Sequence, residues 1–182
     1  MARAGYNAVL VGGALTFDAV NNNYIYTYSV TTTAPSEQVN PSNFIRFYDF
    51  NGYVSGSATA PAAGWTVSVA PFNGNPPSVI LQHGDDAAVS NVTFTWNGGS
   101  PIVTANLGNF VLRSIYGAAP STFKDFYGLS TNTGTTPATG IDTRLDYQAP
   151  VPEPASVVMV GIGIIVVGAT IATQARRRAR RV

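Results

Sequence analysis

The chain contains one histidine, in the stretch QHGDDAA, where His83 is followed by Asp85 and Asp86. An imidazole beside two carboxylates is the only local grouping here with the chemistry of metal binding or proton transfer. One imidazole and two adjacent carboxylates do not complete a ligand set without donors from elsewhere, and Gly84 between them suits a bend. The stretch therefore reads as a polar turn between strands. If it held an ion, that ion would be calcium, on Asp85, Asp86 and loop carbonyls. An envelope hydrolase would need His83 or the acid pair to line a cleft. No nucleophile, phosphate-binding loop or pair of catalytic carboxylates stands out, so we expect a non-enzymatic protein without cofactor or metal.

The second chemistry is stacking. Trp65 and Trp96 are flat aromatics of the kind that cover a pyranose face, which would make an extracellular polysaccharide the partner. Both lie in phase with apolar neighbours, Val67 and Val69 for the first and Val92 and Phe94 for the second, so burial in a core competes with that role. Asn91, Val92 and Thr93 spell a glycosylation sequon, meaningful only in a cell with the transferase. Thr31, Thr32 and Thr33 are a short run, not the repeated flat array of an ice-binding face.

The third grouping lies at the C-terminal end, VPEPASVVMVGIGIIVVGATIATQARRRARRV. Pro152 and Pro154 flank Glu153, a tripeptide that cannot continue a strand and is held extended and accessible. The 18 residues 155–172 carry no charge. As a helix at about 1.5 Å per residue they would span roughly 27 Å, close to the hydrocarbon thickness of a bilayer. Arg176, Arg177, Arg178, Arg180 and Arg181 follow, and positive charge of this kind stays on the cytoplasmic side. A nucleic-acid patch is the competing explanation of the arginines, but the adjoining apolar span already accounts for their position. Gly168 and Ala172 form a small-xxx-small pair that would let two such helices approach.

In this order and adjacency the three parts resemble the C-terminal segment of the PEP-CTERM family of bacterial exported proteins. The same segment also goes under the name ice-binding protein C-terminal domain, which implies no ice binding. The resemblance covers about 151–182. It implies that Pro152, Glu153 and Pro154 are a sorting motif, and that the partner is exosortase, a membrane-embedded transpeptidase that removes the tail and releases or transfers the protein to the surface. The stretch FYDFNGYVSGSATAPAAGW also looks like part of the ectodomain of some such proteins. Family members usually begin with a secretory signal. Here MARAGYNAVLVGGALTFDA has one arginine and an apolar run broken by Gly12 and Gly13, so we read a first strand, with the true start expected upstream.

The elements that must carry these residues are strands. Residues 1–150 hold Arg3, Arg46, Arg113, Lys124 and Arg144 against Asp18, Glu37, Asp49, Asp85, Asp86, Asp125, Asp142 and Asp146, a net of −3, so no nucleic-acid surface is expected there. Cysteine is absent, which excludes disulfides and thiolate chemistry. Asn, Thr, Ser, Gly and Pro abound, a composition poor in helix formers. YIYTYSVTTT alternates with Tyr24, Tyr26, Tyr28 and Val30 on one side. WTVSVAPF puts Trp65, Val67 and Val69 on a face that should be interior, and AVSNVTFTW does the same with Val92, Phe94 and Trp96. NFIRFYDF is aromatic on both sides and reads as a central strand or one lying under a loop. FVLRSIY, FKDFYGL and IDTRLDY follow, while STNTGTTPATG reads as a surface loop.

Turn residues recur often enough to separate eight or so short strands. The expected architecture is an all-β, antiparallel, jelly-roll-like β-sandwich ectodomain over 1–148. An extended segment (149–154), a single transmembrane helix (155–173) and an Arg-rich cytoplasmic tail (174–182) follow. The function expected is that of an exported cell-surface or extracellular-matrix protein at the cell envelope, structural or adhesive, with a carbohydrate-binding module as the alternative.

Overall fold

The tyrosine alternation of 24–30 becomes β3 (Asn23–Thr32), in which Tyr26, Tyr28, Val30 and Thr32 are buried and the intervening residues are half-exposed. β3 organises a four-stranded antiparallel sheet. Along one edge it pairs with β8 (Asn106–Ser114). Along the other edge it takes β1 (Tyr6–Leu10) over Tyr28–Thr32 and β2 (Thr16–Asp18) over Asn23–Ile25. The first strand expected at the start of the chain is thus β1. At Gly108 the β3–β8 register shifts, and the ladder absorbs an extra residue. Gly108 has φ 96°, and a Cβ there would lie 2.6 Å from Pro61, so glycine is needed on both counts.

These elements belong to a computed structural model that describes residues 5–13, 15–71, 81–133 and 139–150, with the backbone alone for 118–122 and 139–146. They form one compact unit ending at Pro152; 153–182 make a second unit, outside the described residues.

The second sheet is six-stranded and also antiparallel, in the order β10 (Thr139–Pro150), β9 (Ala118–Asn132), β5 (Phe44–Phe47), β7 (Asn91–Trp96), β6 (Trp65–Ala70). The short β4 (Glu37–Gln38) pairs with the far end of β9. The two sheets pack face to face. Tyr6, Tyr26, Tyr28, Val30, Phe110 and Leu112 from the first meet Ile45, Phe47, Val92, Phe94, Phe126 and Tyr147 from the second in one cluster. Rings join across the gap, with Tyr28 4.8 Å from Phe47 and Phe94 5.0 Å from Phe110, centroid to centroid. Such pairs add about 0.5–1.5 kcal/mol each beyond area burial.

A core this rich in tyrosine must satisfy its hydroxyls. The four phenols buried in this cluster each donate to a main-chain carbonyl: Tyr6 to Leu129, Tyr26 to Tyr116, Tyr28 to Gln148 and Tyr147 to Tyr48. These bonds tie strand ends together across the core, and burial raises all four phenols above their ordinary pKa.

Several sequence expectations change. Val67 and Val69 are 40% and 41% exposed, not interior. Their register partners Phe94 and Val92 are fully buried, so the face is the predicted one; β6 is the last strand of the wider sheet, and its inner face runs past the cover. The polar run at 130–140 is strand at its two ends, Ser130–Asn132 in β9 and Thr139–Gly140 in β10, while 134–138 lie outside the described residues. Asn132 pairs with Thr139, Thr131 with Gly140 and Ser130 with Ile141, because β-branched threonines serve a ladder as well as a loop. β10 continues to Pro150, with Ala149 fully buried, two residues beyond the expected end of the domain. NFIRFYDF is covered on both sides as expected: Ile45 and Phe47 face the main core, while Phe44 and Tyr48 join Tyr127 and Leu81 in a second cluster.

Among the described residues the structure is all-β, with one 3-10 turn at Val11–Gly13 and no helix long and apolar enough to cross a membrane. The Pro152–Pro154 tripeptide, the apolar span and the five arginines lie outside the described residues.

Candidate functional site

Alternation along β5, β7 and β9 sends Arg46, Thr93, Asp125 and Tyr127 to the outer face of the wider sheet, opposite the core. Arg46 stands at the centre, paired in register with both Thr93 and Tyr127. Its Nε donates to Thr93 Oγ1 at 2.8 Å, its Nη1 donates to Tyr48 Oη at 3.2 Å, and its guanidinium lies over the rings of Phe44 and Tyr48. Burial pushes the Tyr48 phenol up, and Arg46 opposes that shift.

The stretch from Leu81 to Ser90, which carries QHGDDAA, lies across this face. Leu81 is buried against Tyr48 and Tyr127. Asp125, fully buried, accepts Gln82 N at 3.0 Å on Oδ1 and His83 N at 2.8 Å on Oδ2. Asp49 Oδ1 accepts Asp86 N at 2.8 Å, and Asp49 Oδ2 accepts Lys124 Nζ at the same distance. Asn91 completes the set: its Oδ1 accepts Asp49 N at 2.7 Å and its Nδ2 donates to Asp85 Oδ1 at 2.9 Å. Asp86 Oδ1 caps the next turn by accepting Ala88 N. Two carboxylates, one from β9 and one from the turn after β5, thus hold the connection by its backbone N–H groups, and the Asn91 amide of β7 holds it through Asp85.

No family model matches the chain, and no curated protein matches it in sequence. Its chemistry is therefore read from its own residues.

His83 is exposed and contributes its backbone N–H to the docking, while Asp85 and Asp86 are engaged with Asn91 and Ala88. Among the described residues no three His, Asp or Glu side chains come together as a metal site. Asn91 of the sequon is 0% exposed and hydrogen-bonded at both ends of its amide, a buried bracket and not a presented acceptor.

Trp65 and Trp96 are brought together. They are register partners on β6 and β7, with ring centroids 5.4 Å apart, at the rim of the main core. Trp65 also meets Phe110 edge-on at 5.1 Å. Trp96 donates from Nε1 to Ser100 O, and a Cβ on Gly98 would overlap its ring. Both rings are half-buried, so each spends part of its surface on packing.

Of the residues that organise this face, Asp49, Lys124 and Asp125 were not singled out from the sequence, and Asn91 was read only as part of a sequon. One signal was present: in FKDFYGL an acid interrupts a strand of aromatics, and a carboxylate amid apolar neighbours needs donors brought to it.

Proposed function

We propose that the protein is an exported cell-surface or extracellular-matrix component: a non-enzymatic, jelly-roll-like β-sandwich of structural or adhesive role, carried to the cell envelope by a PEP-CTERM-type ending. The observation that carries this reading is the order and adjacency of Pro152, Glu153 and Pro154, the 18 uncharged residues, and five arginines within 176–181. In this reading 155–173 forms a single membrane helix, the arginines keep the tail cytoplasmic, the β-domain faces outwards, and an exosortase-type enzyme processes the tripeptide. The body supports a scaffold role, since Asp49, Asp125 and Asn91 are spent on holding the chain to itself.

Expression with and without 151–182, followed by cell fractionation, tests the anchor. Membrane association only of the full chain is expected, and equal association of both forms overturns it. Mass measurement of the mature surface form tests processing, with loss of helix and tail expected and a full-length form contradicting it.

A carbohydrate-binding module is the alternative, favoured by the half-buried Trp65 beside exposed Val67 and Val69 on the same face of β6. Glycan binding abolished by Trp65→Ala in a folded protein would support it.

A further inference from the structure

Lys124 is the single lysine of the chain. It stands on β9 two residues before Phe126, which pairs with Phe47 of β5. Extending that antiparallel register by two residues sets position 49 opposite position 124. Tyr48 N, donating to Asp125 O at 3.0 Å, carries the ladder one step beyond the strand. Lys124 Nζ then lies 2.8 Å from Asp49 Oδ2, with the aspartate side chain 1% exposed and the lysine 25%. Asp49 has φ 50°, a left-handed conformation uncommon outside glycine, and both of its carboxylate oxygens are engaged, so the carboxyl is held in one orientation. Tyr147, register partner of Lys124 on β10, is buried beside it and donates to Tyr48 O.

We propose that Lys124 and Asp49 condense into an intramolecular amide. A proton passes from Nζ to Oδ2 across the 2.8 Å ion pair, giving the neutral amine and the neutral acid. The amine lone pair attacks Cγ, and the electrons of the Cγ–Oδ1 double bond move onto Oδ1. Asp86 N–H already points at that oxygen from 2.8 Å, in the position of an oxyanion donor. The double bond re-forms, the Cγ–Oδ2 bond breaks, and Oδ2 leaves as water with a second proton from the nitrogen. One C–N bond forms, one C–O bond is lost, and no oxidant, metal or cofactor enters. The fold supplies proximity, which makes an otherwise bimolecular condensation intramolecular.

The product would link positions 75 apart in sequence, in a chain that has no cysteine to form a disulfide. Closing such a loop restricts the unfolded chain and locks β9 to the end of β5.

Tryptic mapping of the purified full-length protein tests this. An acylated Lys124 is no longer a cleavage site, so fragment 47–113 should appear joined to an uncut 114–144, one water lighter than the two together. Lys124→Arg should restore separate fragments. Cleavage after Lys124 with 47–113 at its unmodified mass overturns the proposal. So does a water loss confined to one fragment, as from a cyclised aspartate, or one that persists in Lys124→Arg. The wild-type map decides the matter even if the variant fails to fold.

Discussion

Replacing Asp125 by Asn asks whether charge holds the 81–90 connection to the sheet. The carboxylate is fully buried and gives one oxygen to Gln82 N at 3.0 Å and the other to His83 N at 2.8 Å. An amide of the same shape offers one oxygen; the remaining N–H would face an NH₂ group, donor against donor. Hydrogen bonds to a charged group contribute about 1.5–3 kcal/mol, and a buried donor left unsatisfied costs about 1–3 kcal/mol. Losing one such bond while keeping the other, now neutral, should cost about 2–3 kcal/mol, a large part of the roughly 5–15 kcal/mol of an ordinary domain. Urea unfolding followed by tryptophan fluorescence should show a lower midpoint at unchanged slope, since the surface exposed on unfolding is the same. Amide exchange at Gln82 or His83 should accelerate more than in the main core. A loss below about 0.5 kcal/mol, the size expected of an inert surface change, together with unaltered exchange at both amides, would refute the reasoning.

Other outcomes follow from the same structure. The side chains of Asn21 and Arg113 hold the Asp18 carboxyl well below the usual carboxylate range. A folded pKa below the unfolded one gives stability present above about pH 4 and lost as pH falls toward the folded value, so Asp18→Asn should flatten the acid limb of the stability profile; an unchanged limb contradicts this. Burial raises the phenols of Tyr6, Tyr26, Tyr28 and Tyr147, so their contribution is complete below about pH 10 and declines as pH rises beyond it. Ultraviolet titration should find these four silent until the protein unfolds, and ionisation in the folded state would count against their burial. Gly98→Ala, whose Cβ would overlap the Trp96 ring, should cost about 1–3 kcal/mol and shift tryptophan emission; a neutral effect on both would show that the rim has room.

The core was legible because its signal is periodic. Tyr26, Tyr28, Val30, Val92 and Phe94 are buried where alternation puts them. What alternation cannot give is how far one sheet extends past the other. Val67 and Val69 face the right way yet remain exposed, because their strand ends the wider sheet. Strand limits failed where composition misled, as at Ser130–Asn132, since hydroxyl residues serve loops and ladders alike. The candidate site was legible only as a turn. Its anchors, Asp49, Asn91 and Asp125, come from three separate stretches, and only the β9–β5–β7 pairing brings them under QHGDDAA.

The buried acids explain how a body with so few bases keeps carboxylates inside. Glu37, Asp49 and Asp125 are almost wholly inaccessible, and Asp49 faces a cation, Lys124. Asp125 is met by two backbone N–H groups, and Glu37 Oε2 receives Thr33 N and Ala34 N at 3.2 and 3.4 Å. Backbone donors cost no side-chain entropy to position, and they exist only where the chain bends out of its ladder, so each acid marks a place where a connection must be fixed. Glu37 fixes the bend between β3 and β4, Asp125 the descent of 81–83 onto the sheet, and Asp49 the turn leaving β5. In all three cases a buried charge of the β-domain is directed at its own main chain, for Asp49 with Lys124 on the second oxygen.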